Sequence, residues 1–226
     1  MVARGVLSLS GMMIEKTVYF VRHGQSEDNA APVFQSPDSP LSEIGRTQAE
    51  RVAERFCKLS FEALIASPFR RSSETAEIIA KVTGREVEYS ELFVERVKPT
   101  CINGKPYDDE AANAVWRHWE ESLYTSGMRV SDGENFDDLV RRADEALTFL
   151  GNRAERSLLV VTHGYFLRTI LARVLLGEMI SGEIFRRFQH RASMENTGLT
   201  VVRYQGGFEE EPSWRVWVYN DHAHLV

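Results

Sequence analysis

The chain is predicted to fold as a three-layered α/β protein, with helices on both faces of a mostly parallel sheet that ends in an antiparallel edge. Three observations carry this. Strand-like and helix-like segments alternate along most of the sequence. Residues 17–21 and 157–161 are short, mainly apolar runs without alternation, as expected of strands covered on both faces. The last two strand-like segments, 199–204 and 214–219, are joined by a turn at Gly206-Gly207 with no helix between them.

The first run ends at Arg22-His23-Gly24, and the Ser-, Asp-, Asn- and Pro-rich stretch 25–40 reads as a loop. Ser42 is placed to cap a helix in which Ile44, Ala49, Val52, Phe56 and Leu59 recur near the 3.6-residue period. Residues 63–66 form a short strand ended by Ser67-Pro68, and a second helix runs to about Val82 with Gly84 as its stop. Residues 86–92 read as a strand, after which the pattern fails from 97 to 109. One helix then carries Ala112, Val115, Trp116, Trp119 and Leu123, and the next Phe136, Leu139, Val140, Ala143, Leu147 and Leu150. The strand at 157–161 leads into a helix at 166–176, with Leu167, Ile170, Leu171, Val174 and Leu175 on one side. The expected organisation is a flexible extension at 1–16, or a true start at Met12 or Met13, followed by one domain at 17–226. Residues 97–133 form an excursion from that domain that would suit a lid, with Trp116 and Trp119 either facing the pocket or packing the core.

Composition narrows the function. The 226 residues carry 33 acidic side chains against 27 Lys+Arg, a formal charge of −6, which disfavours a general nucleic-acid binder. No uncharged apolar run nears the roughly 18 residues of a membrane span, so no membrane partner is expected. Two cysteines, Cys57 and Cys101, make no disulfide framework, and a cytoplasmic location is the simplest expectation.

The chemistry concentrates where two strands end alike, in Arg22-His23-Gly24 and Thr162-His163-Gly164. Ligands of open α/β sheets bind outside the carboxyl ends of strands, so neighbouring strands would put both histidines in one crevice. Arg22 beside His23 repels a metal cation but suits phosphate, and it favours a neutral, nucleophilic imidazole. A third piece, Ser67 to Ala76, passes from a strand end into a helix and can aim Arg70 or Arg71 at the same crevice, where the helix N-terminus also favours an anion.

Arg22-His23-Gly24, followed by Gln25-Ser26 and Asn29, resembles the signature of the histidine phosphatase (phosphoglycerate mutase-like) superfamily. The resemblance covers about 18–204 and includes Pro40 to Gly45 with Gln48-Ala49, the Ser67 to Ala76 segment, Gly133-Glu134-Asn135, Val161 to Gly164, and Asn196 before a late strand. It implies a phosphoglycerate mutase-like fold and a metal-independent phosphatase acting through phosphohistidine on His23, with no cofactor and a small phosphorylated substrate. Arg22, Arg71 and His163 (if protonated) would hold the phosphoryl group, with Asn29, Gly24, Gln25, Ser26 and Gly164 around it. The resemblance implies a helix-entry arginine four residues after the Ser, which selects Arg71 over Arg70, and a general acid just after a short strand, for which Glu95 rather than Glu91 is chosen.

Alternatives stay open. A cofactor-dependent phosphoglycerate mutase would pass the phosphoryl group to another acceptor, but residues 97–106 depart from a mutase-like continuation. Lys98 and Lys105 could contact a second anionic group. A phospho-ligand-binding module without turnover, and a metal site at His222-x-His224, are the readings from other classes. His118 and His190 are expected at the surface, and Trp214 and Trp217 on a late hairpin whose edge could support a homodimer.

Overall fold

The computed structural model describes residues 14–206 and 212–226. Six strands form one sheet in the order β3-β2-β4-β1-β5-β6: β1 (Ile14–Arg22), β2 (Ala63–Ala66), β3 (Val87–Tyr89), β4 (Ser157–Thr162), β5 (Leu199–Gly206) and β6 (Ser213–Asp221). The first four are mutually parallel, while β5 and β6 pair antiparallel and close one edge. The helices are α1 (Glu27–Ala30), α2 (Glu43–Phe56), α3 (Arg70–Thr83), α4 (Glu110–Ser122), α5 (Phe136–Asn152), α6 (Gly164–Leu176) and α7 (Gly182–Arg191).

The three layers follow from the two-residue period of the strands. Val18, Phe20, Leu158 and Val160 pack one way, against Leu139, Ala143 and Leu150 of α5 and Phe166 and Ile170 of α6. Val21, Leu159 and Val161 face the other way, against Val52 and Phe56 of α2 and Ala76 and Ile79 of α3. Both faces are covered, so these strands are apolar throughout. Helix limits follow the local chemistry: the Ser42 side chain accepts from the Gly45 N–H at the start of α2, and Gly84, at φ 68°, ends α3 in the left-handed conformation.

Several expectations need adjusting. β1 begins at Ile14, inside the stretch read as a flexible extension, and Lys16 is buried with its ammonium donating to the carbonyls of Leu150 and Gly151 at 3.0 Å each. That cation closes the carbonyl end of α5, a long-range pairing that local pattern does not show. Residues 1–13 and part of the Gly206-Gly207 turn lie outside the described residues. The strand read at 86–92 spans only Val87–Tyr89, because the Ser90 side chain caps a 3-10 turn at Glu91–Phe93 that buries Phe93. Helix α6 starts at Gly164 rather than 166, and α7 had no assigned counterpart. The excursion at 97–133 holds a 3-10 turn (Thr100–Ile102) and α4. Trp214 stacks near Tyr204 at 4.9 Å, but Trp217 is exposed beneath Arg203.

Candidate active site

Register places the two histidines together. Arg22 of β1 pairs with Thr162 of β4, so His23 and His163 leave the sheet side by side. The His23 N–H donates to the Thr162 carbonyl at 2.9 Å, and the imidazole centroids lie 5.0 Å apart.

His23 is buried. Its Nδ1 lies 2.7 Å from the Gly24 carbonyl, which can only accept, so Nδ1 carries the proton. Nε2 keeps its lone pair and accepts from Arg71 Nε at 3.1 Å. Burial first, then the Arg71 and Arg22 guanidinium groups, hold the ring well below the usual histidine range and therefore neutral. His163 is likewise buried and held neutral, by burial and then Arg71, so the protonated His163 entertained above is not the state of the ligand-free site. Its Nε2 meets Ser67 Oγ at 2.8 Å, and its Nδ1 is buried with no hydrogen-bond partner among the described residues.

The arginines arrive from two elements. Arg22 ends β1, donates through Nη1 to the Met194 carbonyl, and has its Nε buried without a partner. Arg71 sits in the first turn of α3, whose N-terminus has no side-chain cap, and donates through Nη1 to the Ser36 carbonyl at 3.0 Å. Burial lowers its guanidinium to about 10. Arg70 points outward and pairs with Glu74 at 2.8 Å, so the fold itself separates the two candidates.

Glu95 lies beyond the 3-10 turn that follows β3, at the N-terminus of α6. It accepts from the N–H groups of Phe166 at 3.0 Å, Tyr165 at 3.3 Å and Arg96 at 3.1 Å. Glu91 is exposed. The segment carrying Glu95 is tied down by Arg142, which grips Glu134 through Nε at 2.7 Å and Nη2 at 2.8 Å. Arg142 also donates to the Val94 carbonyl at 2.8 Å.

The remaining signature residues divide. Gly164 borders the cavity. Gly24, Gln25, Ser26 and Asn29 instead brace the loop. A Cβ on Gly24 would sit 2.4 Å from the Gly45 carbonyl oxygen, so the loop packs directly on α2. Gln25 accepts from Ser42 Oγ at 2.8 Å, and its N–H donates to Gln48 Oε1 at 2.9 Å. Ser26 and the exposed Asn29 cap α1 reciprocally. Short polar residues after a strand serve capping as readily as ligand contact, which is why sequence alone assigned them to phosphate.

The crevice opens into a cavity of about 300 Å³. Arg22, Arg71, Arg96, Lys98 and Arg168 line it against one carboxylate, Glu95, with Phe34, Phe69, Tyr107, Trp116, Trp119 and Tyr165 as aromatic walls. Lys105 is exposed and does not line it. Trp119 belongs to wall and core at once: it is fully buried, and its Nε1 donates to the Glu134 carbonyl at 2.7 Å. Among the described residues no cluster of His, Cys, Asp and Glu could hold a metal ion.

His224 proves to be a brace instead. Its Nε2 lies 3.0 Å from Thr197 Oγ1, which also donates to the Asn196 carbonyl at 2.7 Å. Thr197 is buried in the left-handed region, at φ 57°, which is costly for a β-branched residue and persists where neighbours fix it. Its N–H donates to the Arg22 carbonyl at 2.9 Å, and Asn196 Nδ2 to the His23 carbonyl at 2.8 Å. His118 and His190 are exposed.

Sequence reasoning missed Arg96, Arg168, Arg142 and Thr197 as site residues. Arg168 had a usable signal, since one helical turn after Gly164 returns a side chain to the face that starts at the strand end.

Comparison with known proteins identifies the family and the fold. Residues 18–217 match the histidine phosphatase superfamily (branch 1). A Photorhabdus laumondii protein named "Probable phosphoglycerate mutase GpmB" is 33% identical over 216 residues, covering 92% of this chain and 94% of its own. Among solved structures, Bacillus stearothermophilus YhfR has a TM-score of 0.77 at 26% identity, covering 93% of this chain and 100% of its own. A mycobacterial glucosyl-3-phosphoglycerate phosphatase shares the fold at a TM-score of 0.69 and 24% identity, covering 92% of this chain and 99% of its own.

Proposed function

The chain belongs to the histidine phosphatase superfamily, branch 1, and from that premise we propose that it hydrolyses a small phosphomonoester through a phosphohistidine on His23. The observation that carries the reading is the state of His23. Its Nε2 is unprotonated and accepts from Arg71, which lines a cavity whose other charged lining is one carboxylate and further cations. Such a ring can accept phosphorus only if the equatorial oxygens are met by fixed positive charge, and Arg22 and Arg71 supply it.

In the first half-reaction the Nε2 lone pair attacks phosphorus, the bond from phosphorus to the alcohol oxygen breaks, and Glu95 gives its proton to that oxygen. The proton stays on Nδ1, donated to the Gly24 carbonyl, and that hydrogen bond steadies the ring as it becomes cationic. In the second half Glu95, now a carboxylate, takes a proton from water as the water oxygen attacks phosphorus. The P–N bond breaks, inorganic phosphate leaves, and no step passes through a metal. His163 donates to a phosphoryl oxygen through Nδ1, while its Nε2 accepts from Ser67 Oγ.

A mutase reading is favoured by the printed name of the Photorhabdus relative. It differs only in the acceptor of the second half, an alcohol instead of water. Release of inorganic phosphate from a simple alkyl phosphate, lost in His23→Ala, supports the hydrolase. Transfer between hydroxyls without phosphate release would replace it by the mutase, and the absence of any turnover would leave a binding module. The free, exposed thiols of Cys57 and Cys101 suit a reducing compartment, and we place the enzyme in the cytoplasm.

A further inference from the structure

Proton transfer by Glu95 needs a fixed carboxyl group, and the local chain does not provide one. Residues 94–99 lie in no helix or strand, so their peptide groups have no ladder to hold them. Side chains from other elements hold them instead. Arg142 of α5 donates through Nη1 to the carbonyls of Leu92 at 3.2 Å and Val94 at 2.8 Å, and through Nη2 to that of Glu95 at 3.3 Å. Thr162 Oγ1, at the end of β4, donates to the Phe93 carbonyl at 2.7 Å. Four successive carbonyls, from Leu92 to Glu95, are therefore pinned from α5 and β4.

The same guanidinium reaches the other end of the acid. It lies 3.7 Å from the ring centroid of Phe166, whose N–H donates to Glu95 Oε1 at 3.0 Å. One side chain thus touches both the backbone that carries the carboxylate and a residue that binds it. Arg142 is in turn aimed by Glu134, which accepts from Nε at 2.7 Å and from Nη2 at 2.8 Å, a two-pronged pair whose side chains are 12% and 15% exposed. Glu134 Oε2 also accepts from the Val97 N–H at 2.7 Å, and the Glu134 N–H donates to the Val97 carbonyl at 2.7 Å. The segment is therefore held on both sides of Glu95. Glu134 directly precedes Asn135, the cap of α5, and its carbonyl accepts from Trp119 Nε1 at 2.7 Å. Gly133-Glu134-Asn135, a motif without a part in the reaction so far, sits where α5, the cavity wall and the Glu95 segment meet.

Building on the hydrolase reading, we propose that Glu134 and Arg142 are positioning residues for the general acid: their ion pair sets where the Glu95 carboxyl group meets the leaving oxygen. Neither side chain lines the cavity, so both act through Glu95 and not on the substrate. A guanidinium suits the task because its planar fork serves a carboxylate and several carbonyls at once, whereas an ammonium is a point charge on a flexible stem. A misplacement of about 1 Å can cost on the order of 10²-fold in rate. The cost falls unevenly on substrates. An alkyl phosphate needs the proton from Glu95, and p-nitrophenyl phosphate hardly needs it. The pair therefore controls the dependence on leaving group rather than phosphoryl transfer itself.

The test is the ratio of kcat/KM on p-nitrophenyl phosphate to kcat/KM on n-propyl phosphate, with Glu95→Gln as the reference for a lost acid. Glu134→Gln keeps the shape and loses the charge, while Arg142→Lys keeps the charge and loses the fork. Each should raise the ratio by roughly ten- to hundredfold. In a Glu95→Gln background either substitution should leave the ratio where Glu95→Gln alone puts it, since no acid remains to be placed. A pair that only stabilises the fold lowers both esters in parallel. A wild-type ratio in Glu134→Gln, or a further rise in the Glu95→Gln background, therefore overturns the positioning role and leaves the hydrolase reading standing. If Glu95→Gln does not move the ratio, or the unmutated protein turns over neither ester, the acid assignment or the hydrolase reading fails first and the positioning role falls with it. Thermal midpoints establish that each variant is folded at the assay temperature. Should Arg142→Lys not be, the isosteric Glu134→Gln decides.

Discussion

The floor of the cavity and its wall are built on different principles. On the floor the Arg22-His23 dipeptide is held at several points: His23 by the Gly24 carbonyl and Arg71, its own carbonyl by Asn196, and the Arg22 carbonyl by Thr197. On the wall Arg96 lies among aromatic rings and Arg168 on neutral acceptors, and neither these nor Lys98 forms an ion pair among the described residues. In the proposed reaction the floor is preorganised for one transition state, whereas the cations of the wall form no ion pair among the described residues. Preorganisation gives rate, and unmatched charge gives selectivity.

The contrast can be broken at its strongest point first. Glu95 stands where floor and wall meet, and Glu95→Gln should lower kcat on propyl phosphate by roughly 10²- to 10⁴-fold, the range for a positioned acid. The same variant should lose far less on p-nitrophenyl phosphate, whose leaving group departs without a proton. Equal losses on both esters would remove Glu95 from the acid role. Next is Arg71→Ala, which should cost about 3 kcal/mol of transition-state stabilisation, read as kcat/KM on either ester. Arg70→Ala, one residue away but exposed and paired with Glu74, should change kcat/KM little, since such surface pairs are worth about 0–1 kcal/mol.

Acid sharpens the comparison through stability. His23 and His163 are held neutral by burial, so their folded-state values lie below the unfolded value of about 6.5. Below that pH the unfolded chain binds protons that the folded chain refuses. Stability is therefore full above about pH 6.5 and falls as pH drops, by up to about 1.4 kcal/mol per pH unit for each ring. Denaturant midpoints measured between pH 7 and 5 should show the decline, and His163→Asn should make it shallower. A flat profile would mean that these rings are not buried neutral. The smallest expected effect belongs to His224→Ala, which removes the hydrogen bond to Thr197 and should cost about 1 kcal/mol of stability. It should also lower kcat more than it raises KM, because Thr197 positions the dipeptide without touching substrate.

Legibility followed the same divide. The floor could be read because each of its strands is an apolar run ending in a chemical group, and the parallel register that joins Arg22 to Thr162 brings those ends together. The choice of Arg71 over Arg70 came from the family's helix-entry pattern, and the structure buries Arg71 and leaves Arg70 exposed. The wall was not legible. Residues 97–109 have no periodicity, and Arg96 and Lys98 become cavity residues only because the grip of Arg142 on Glu134 and the Val94 carbonyl fixes the segment they follow. The pairing of His224 with Thr197 spans 27 residues and crosses the hairpin, so a histidine pair near the chain end read as a metal motif. Gln25, Ser26 and Asn29, set around the phosphate by the resemblance, make loop and cap hydrogen bonds that the local pattern also allows, since the same polar groups serve either use.

The central claim is that His23 enters the reaction with Nδ1 protonated and Nε2 bare, and takes phosphorus on Nε2. The most direct measurement is ³¹P NMR of the enzyme quenched in base during turnover of an aryl phosphate, followed by peptide mapping of the acid-labile phosphate. The structure predicts a single phosphoramidate on Nε2 of His23, absent from His23→Ala. Phosphate on Nδ1, on His163 or on any hydroxyl, or turnover that persists in His23→Ala, would contradict it.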